Sequence, residues 1–155
     1  MMKKILLAIS LLMWTGVAFS QVGTACIFSP AELGTTLGKT PEAGVASKDR
    51  LGILHCQYKI KNKSEKGFSV LISSRCDQSK FESKVKLNQS MSGKSVTLLK
   101  GYGDGAYFSP TGLAAVRVGT QCIELSGIRS AGTNRPIVEA DAAPLLKLTV
   151  SRFKK

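Results

Sequence analysis

Apolar and polar residues alternate with a period of two over LHCQYKI, which puts Leu54, Cys56, Tyr58 and Ile60 on one side and His55, Gln57 and Lys59 on the other. After a polar turn at KNKSEKG (61–67), the run GFSVLISSRC repeats the pattern with Phe68, Val70 and Ile72 inward, so the two runs predict an antiparallel hairpin. From Ser95 onward the same period predicts strands at VTLLK (96–100), AYF (106–108), LAAVRV (113–118) and QCIELSG (121–127). PTG and GT between the last three read as tight turns, which makes this region a meander. Residues 39–51 read as a polar loop.

Three stretches carry helical signals instead. In SPAE, Ser29 is placed to cap, Pro30 takes the first helical position where its missing N–H costs nothing, and Glu32 closes a capping box. Leu33 and Leu37 then share a face and Gly38 ends the helix. Asp77 or Ser79 caps a second helix with Phe81 and Val85 four apart, which frays around NQSMSG (88–93). A last helix is expected near residues 141–153, capped by Asp141, with Pro144 tolerated in its first turn. Helix, hairpin, helix, meander, helix predicts an α+β fold: an antiparallel sheet with helices packed on one face.

The first twenty residues stand outside this pattern. Lys3 and Lys4 precede a short apolar run, Ile5 to Trp14, and Ala18 and Ser20 occupy the small-residue positions of a cleavage before Gln21. This predicts a secretory signal peptide over residues 1–20, a single mature domain over 21–155, and a periplasmic or secreted location. The apolar run is short for a membrane span, and no second run of spanning length follows. A lipid on Cys26 is the rival reading, but VGTA before it lacks the leucine usual three places upstream of a lipidated cysteine.

The four cysteines, Cys26, Cys56, Cys76 and Cys122, all follow the expected cleavage point. An even count in an exported chain predicts two disulfides, with three pairings open, of which we favour Cys26–Cys56 and Cys76–Cys122. No C-x-x-C spacing occurs, so the thiols give no support to a zinc knuckle or a thioredoxin-like pair. The chain has 22 Lys and Arg against 10 Asp and Glu, a formal +12, and removal of Lys3 and Lys4 with the leader leaves +10. That balance favours anionic partners such as an envelope component or an acidic protein.

The stretch GYGDGAYFS (101–109) raises the question of a ligand cradle. A phosphate loop needs a helix opening directly after the glycines, whereas here AYFSP follows, extended and ended by proline. The stretch reads as a corner in which glycines allow positive φ and Asp104 binds nearby backbone N–H groups. His55 is the single histidine and could join Asp49 or Asp104 in a Ser/His/Asp arrangement, but no G-x-S-x-G or comparable nucleophile motif accompanies it. Glu32 is explained by capping. Glu124 and Asp104 are the pair to consider for glycoside hydrolysis, though neither lies in a suggestive motif. No catalytic, metal or cofactor residue is assigned, and no cofactor is expected.

Basic residues are densest at KIKNKSEK, where Lys59, Lys61, Lys63 and Lys66 form either a solubilising turn or an anion-contact patch. Tyr102, Tyr107 and Phe108, beside the glycines, are candidates for an exposed recognition edge, with a core role for Tyr107 the alternative. Aromatic interleaving among the basic residues is sparse, so nucleic acid is not expected.

CIFSPAELGTTLG (26–38), the Cys56 and Tyr58 spacing, GYGDGAYF (101–108) and LAAVRVG (113–119) together resemble a family of small exported proteins and lipoproteins of unknown function, best known from actinobacteria. Its motifs are Cys-x-Leu-Leu-Thr-x-x-Glu followed by Leu-Gly, Cys-x-Tyr or Cys-x-Trp, and Gly-x-Gly-Asp-x-Ala-Tyr. The resemblance runs in order over residues 26–127. It implies the Cys26–Cys56 pairing, which leaves Cys76 and Cys122 as an addition that would pair with each other; Ser29 replaces a frequent Thr in the same capping role. It brings a fold expectation and no activity. The functional expectation is a non-catalytic exported binding module with a basic surface, a hydrolase inhibitor being one version. A structural component of an envelope complex and a small extracellular hydrolase are the alternatives.

Overall fold

A computed structural model of the chain describes residues 25–38, 41–60, 67–127 and 139–154. The expected signal peptide and Lys61, Lys63 and Lys66 lie outside these residues. The elements are α1 (Pro30–Leu37), β1 (Val45–Lys48), β2 (Leu54–Tyr58), β3 (Phe68–Ser73), α2 (Gln78–Ser92), β4 (Thr97–Leu99), β5 (Gly105–Ser109), β6 (Leu113–Val118), β7 (Gln121–Ser126) and α3 (Glu139–Phe153). All strand pairs are antiparallel, in the order β1-β2-β3-β7-β6-β5-β4. The hairpin therefore joins the meander through β3 and β7, a pairing between strands about fifty residues apart in sequence that only tertiary packing selects.

Alternation decides which side each strand buries. Cys56, Val70, Leu125 and Ala114 lie in one cross-strand row and Leu54, Ile72, Ile123 and Val116 in the next, all turned to the same face. Leu33 of α1 and Ala142, Leu145 and Leu146 of α3 close over that face to form the main core. The fold is α+β, with helices packed on one face of the antiparallel sheet and two disulfides. The reverse face carries a smaller cluster of its own. Phe81 of α2 meets Tyr107, Ala115 and the Cys76–Cys122 bridge there, so α2 adds a cover at the β5 side.

Both favoured bridges form, each with Cα atoms 5.4 Å apart. Cys26–Cys56 pins the segment before α1 to β2. Tyr58 reinforces it: its hydroxyl donates to the Phe28 carbonyl at 3.2 Å and accepts from the Phe28 N–H at 3.1 Å, while its ring stacks on Phe68. Cys122 faces away from the main core, on the side of β7 opposite Ile123 and Leu125, and Cys76 meets it on the reverse face.

Four local expectations need correction. The polar loop contains a strand, β1, paired with β2 from Val45↔Gln57 to Lys48↔Leu54. Ile60 lies past the end of β2, held by an isolated bridge to Pro41. α2 does not fray at residue 88 but continues to Ser92, where Gly93 at φ 60° donates its N–H to the Gln89 carbonyl. α3 begins at Glu139, so Asp141 falls within its first turn rather than capping it. Ser29 and Asp77 cap α1 and α2 as expected, each side chain accepting the backbone N–H three residues on.

Candidate functional site

Three connections meet at one end of the sheet: residues 74–77 leading into α2, residues 100–104 between β4 and β5, and the turn at Gly119 and Thr120 between β6 and β7. The corner 100–104 can bend so tightly because of its glycines. Gly103 has φ 54°, and a Cβ built on it would lie 2.4 Å from the Arg117 carbonyl oxygen, so the backbone packs where no side chain fits. Asp104 then donates its N–H to that same carbonyl at 2.8 Å, and its Oδ2 accepts the Gly119 N–H at 2.6 Å.

Arg117 ties the third connection in. Its guanidinium donates to the Gly119 carbonyl at 3.0 Å, the Asp104 carbonyl at 3.3 Å and Oε1 of Gln78 at 2.8 Å, with the Asp104 carboxylate 4.0 Å away. The Cys76 N–H donates to the Thr120 carbonyl at 2.8 Å, directly beside the Cys76–Cys122 bridge. One disulfide, one arginine and one carboxylate thus fix three loops against each other. Arg75, Lys80, Lys100 and Asp104 are exposed around them, and Tyr102 is half-buried, packed towards the main core. The stretch that looked like a ligand cradle is a hydrogen-bonded corner.

Other candidates are placed differently. Tyr107 and Phe108 are buried, at 0% and 8% exposure, on opposite faces of β5, so neither forms an exposed recognition edge. Tyr107 projects under α2, where its hydroxyl accepts from Asn88 Nδ2 at 3.0 Å and burial raises its pKa far above the ordinary phenol value. Lys59 is exposed just past the end of β2, where β3 begins, whereas the corner lies where β3 finishes. Lys59 and Tyr102 therefore occupy opposite ends of the sheet.

The acids weighed for chemistry are committed elsewhere. Glu32 accepts from the Ser29 N–H and hydroxyl and pairs with Arg152. Glu124 pairs with Lys84, bridging β7 to α2, and Asp104 holds Gly119. His55 does meet Asp49, its Nε2 3.4 Å from Oδ2, and Ser47 lies opposite it across the β1–β2 pair. Both side chains are open to solvent, and among the described residues no hydrogen bond links a serine hydroxyl to His55. The N–H of Ile53, with those contributed by His55 and Leu51, holds the Asp49 carboxyl below its ordinary value. Among the described residues no three His, Cys, Asp or Glu side chains gather as a metal site, and no helix is long and apolar enough to cross a membrane.

Sequence reasoning found Asp104 and its glycines but missed Arg117, Gln78 and Thr120. A charged residue near the end of an otherwise apolar strand was the one available signal for Arg117. Comparison of the chain with family models, with curated proteins and with solved structures finds no match.

Proposed function

We propose that the chain is a non-catalytic, exported binding module with a basic surface, and that its loop end is the contact surface. The observation that carries this reading is the locking of the three loops. Asp104, Arg117 and the Cys76–Cys122 bridge hold the 74–77, 100–104 and 119–120 connections in one arrangement before any partner arrives. A surface ordered in advance loses little conformational entropy on binding, which is how small rigid domains achieve affinity from modest area. Exposed Arg75, Lys80 and Lys100 give this end a cationic rim, suited to an acidic partner.

The specific version we favour is inhibition of an extracellular hydrolase, since a rigid exposed corner suits insertion into a substrate cleft. The resemblance to small exported proteins supports export and remains part of the proposal. The test is capture from envelope extract with the exported chain, repeated at high salt, beside a broad hydrolase screen. A stoichiometric partner whose retention falls with salt supports the reading. No partner at any salt, together with turnover by the chain, would overturn it.

A further inference from the structure

α2 lies over one side of the sheet, not its middle. Phe81 stands against Gly105 and Tyr107 of β5, and Asn88 reaches the Tyr107 hydroxyl. From that line Lys84 leans towards β7, where its Nζ meets Glu124. Residues 84, 87 and 91 share one flank of a helix, so Leu87 and Met91 project the same way as Lys84, out over β7, β3 and β2. No helix among the described residues covers that part of the reverse face. The result is a step one helix diameter high, about 10 Å, above a floor about 14 Å wide from β7 to β1.

The step is apolar where a polar surface is expected. Leu87 and Met91 on its wall are 57% and 78% exposed. Leu71 is half-buried in the floor, and Val45, 65% exposed, lies opposite Gln57 at the far rim on the same face. Its unpaired charge is mainly basic, since the acid at the β1 rim, Asp49, is held by the Leu51 and Ile53 N–H groups beside His55. Glu124 is taken by Lys84, while Lys80 continues the wall one turn earlier and Lys59 continues the floor two residues beyond Gln57.

We infer that this step is a docking groove for an extended acidic polypeptide that carries apolar side chains. Apolar residues of the partner meet Met91, Leu87 and Leu71, and its acids meet Lys59 and Lys80. Charge disfavours the nearest rival, a second copy, because each exported chain carries a formal +10 once Lys3 and Lys4 are removed. Shape disfavours a bilayer, which cannot follow a concave step, and among the described residues the groove presents no aromatic platform for unstacked bases. The inference rests on the chain being a binding module and names the class of partner, on a surface that runs along α2 away from the loop end and meets it at Lys80, whose Nζ donates to the Arg75 carbonyl at 3.1 Å.

The test is an amide chemical-shift titration of the isotope-labelled exported chain with a short peptide of alternating glutamate and leucine. A lysine–leucine peptide, phosphatidylglycerol vesicles and a single-stranded oligonucleotide serve as comparison probes. The expected shifts fall at Gln57, Leu71, Lys84 and Met91 and shrink as salt rises. A Leu87→Gln, Met91→Gln variant, changed only at exposed positions, should bind at least ~10-fold more weakly. Shifts confined to the loop end or to α1 and α3, none up to about 1 mM peptide, undiminished binding by the variant, or a stronger response at these amides to any comparison probe or to self-association would each overturn the groove. Cleavage of the peptide would instead contradict the binding-module reading, so the two failures are distinguishable.

Discussion

The Asp104 carboxylate accepts the backbone N–H of Gly119 at 2.6 Å, tying two loops that lie fifteen residues apart in sequence. Replacing Asp104 with alanine removes the acceptor and leaves the Gly119 N–H without its partner. Both residues are exposed, so water takes the freed N–H and the expected cost is about 0.5–1.5 kcal/mol in denaturant unfolding, with faster amide exchange confined to residues 100–104 and 119–120. Uniformly faster exchange across the sheet would show that the corner is not a separate unit.

The two glycines before Asp104 should respond differently to alanine. Gly101 has φ 86° and open space around it, so Gly101→Ala meets only the left-handed backbone penalty, about 1 kcal/mol. At Gly103 the new Cβ also collides with the Arg117 carbonyl oxygen, and the loss should exceed that of Gly101→Ala by at least ~1 kcal/mol. Equal unfolding midpoints for the two variants would contradict this packing.

Tyr58 offers a test of the main core. Tyr58→Phe keeps the stacking on Phe68 but strips both hydrogen bonds from the Phe28 backbone, which is buried. A loss of about 1–3 kcal/mol is expected. A neutral result would mean that the Phe28 groups find other partners.

Reduction should proceed in order. Cys26 is half-buried at the surface, whereas Cys76 and Cys122 are each only 1% exposed. Under mild reductant in native buffer, peptide mapping should show Cys26–Cys56 opened first, with Cys76–Cys122 intact until global unfolding. Loop closure over 30 and 46 residues makes each bridge worth roughly 3–4 kcal/mol. Simultaneous loss of both would contradict the burial difference.

Much of the fold was legible because most strands bury one face. Leu54, Cys56 and Tyr58, and then Phe68, Val70 and Ile72, declare the hairpin by alternation alone. β1 was not legible, since VASK lies at a sheet edge with Val45 turned to solvent and offers no inward apolar row. The end of α2 was hidden for a related reason: Asn88 to Ser92 make little apolar contact, and the helix is carried to Gly93 by backbone bonding rather than by a buried stripe. β5 misled in the opposite sense. Covered on both faces, with α2 on one of them, it buries Ala106, Tyr107 and Phe108 in succession, so Phe108 read as a recognition edge while Tyr107 takes the core role that was its alternative. The site itself was half legible. Gly103 and Asp104 are a local signal, whereas Arg117 and Gln78 join them only through the β5–β6 register and the position of α2.

Acid sensitivity should appear at the β1–β2 turn. The folded-state pKa of Asp49 lies below its ordinary value of 3.8, chiefly because Ile53 donates its N–H. A depressed folded pKa stabilises above the unfolded value and loses that contribution as pH falls through the folded one. Asp49→Ala should therefore flatten the acid limb of the stability profile, and carbon-detected titration should place the Asp49 midpoint below 3.8. A midpoint above that value would contradict the turn geometry.

The central claim, that the loop end is a contact surface ordered in advance, is tested most directly by measuring affinity for the captured partner with the parent chain and with an Arg75→Glu, Lys100→Glu variant. Both positions are exposed, so the variant should match the parent in unfolding midpoint. The account predicts binding weakened at least ~10-fold and a shallower salt dependence, with amide exchange of residues 100–104 equally slow in free and bound parent. Unchanged affinity in the variant, or a corner that becomes protected only on binding, would contradict it.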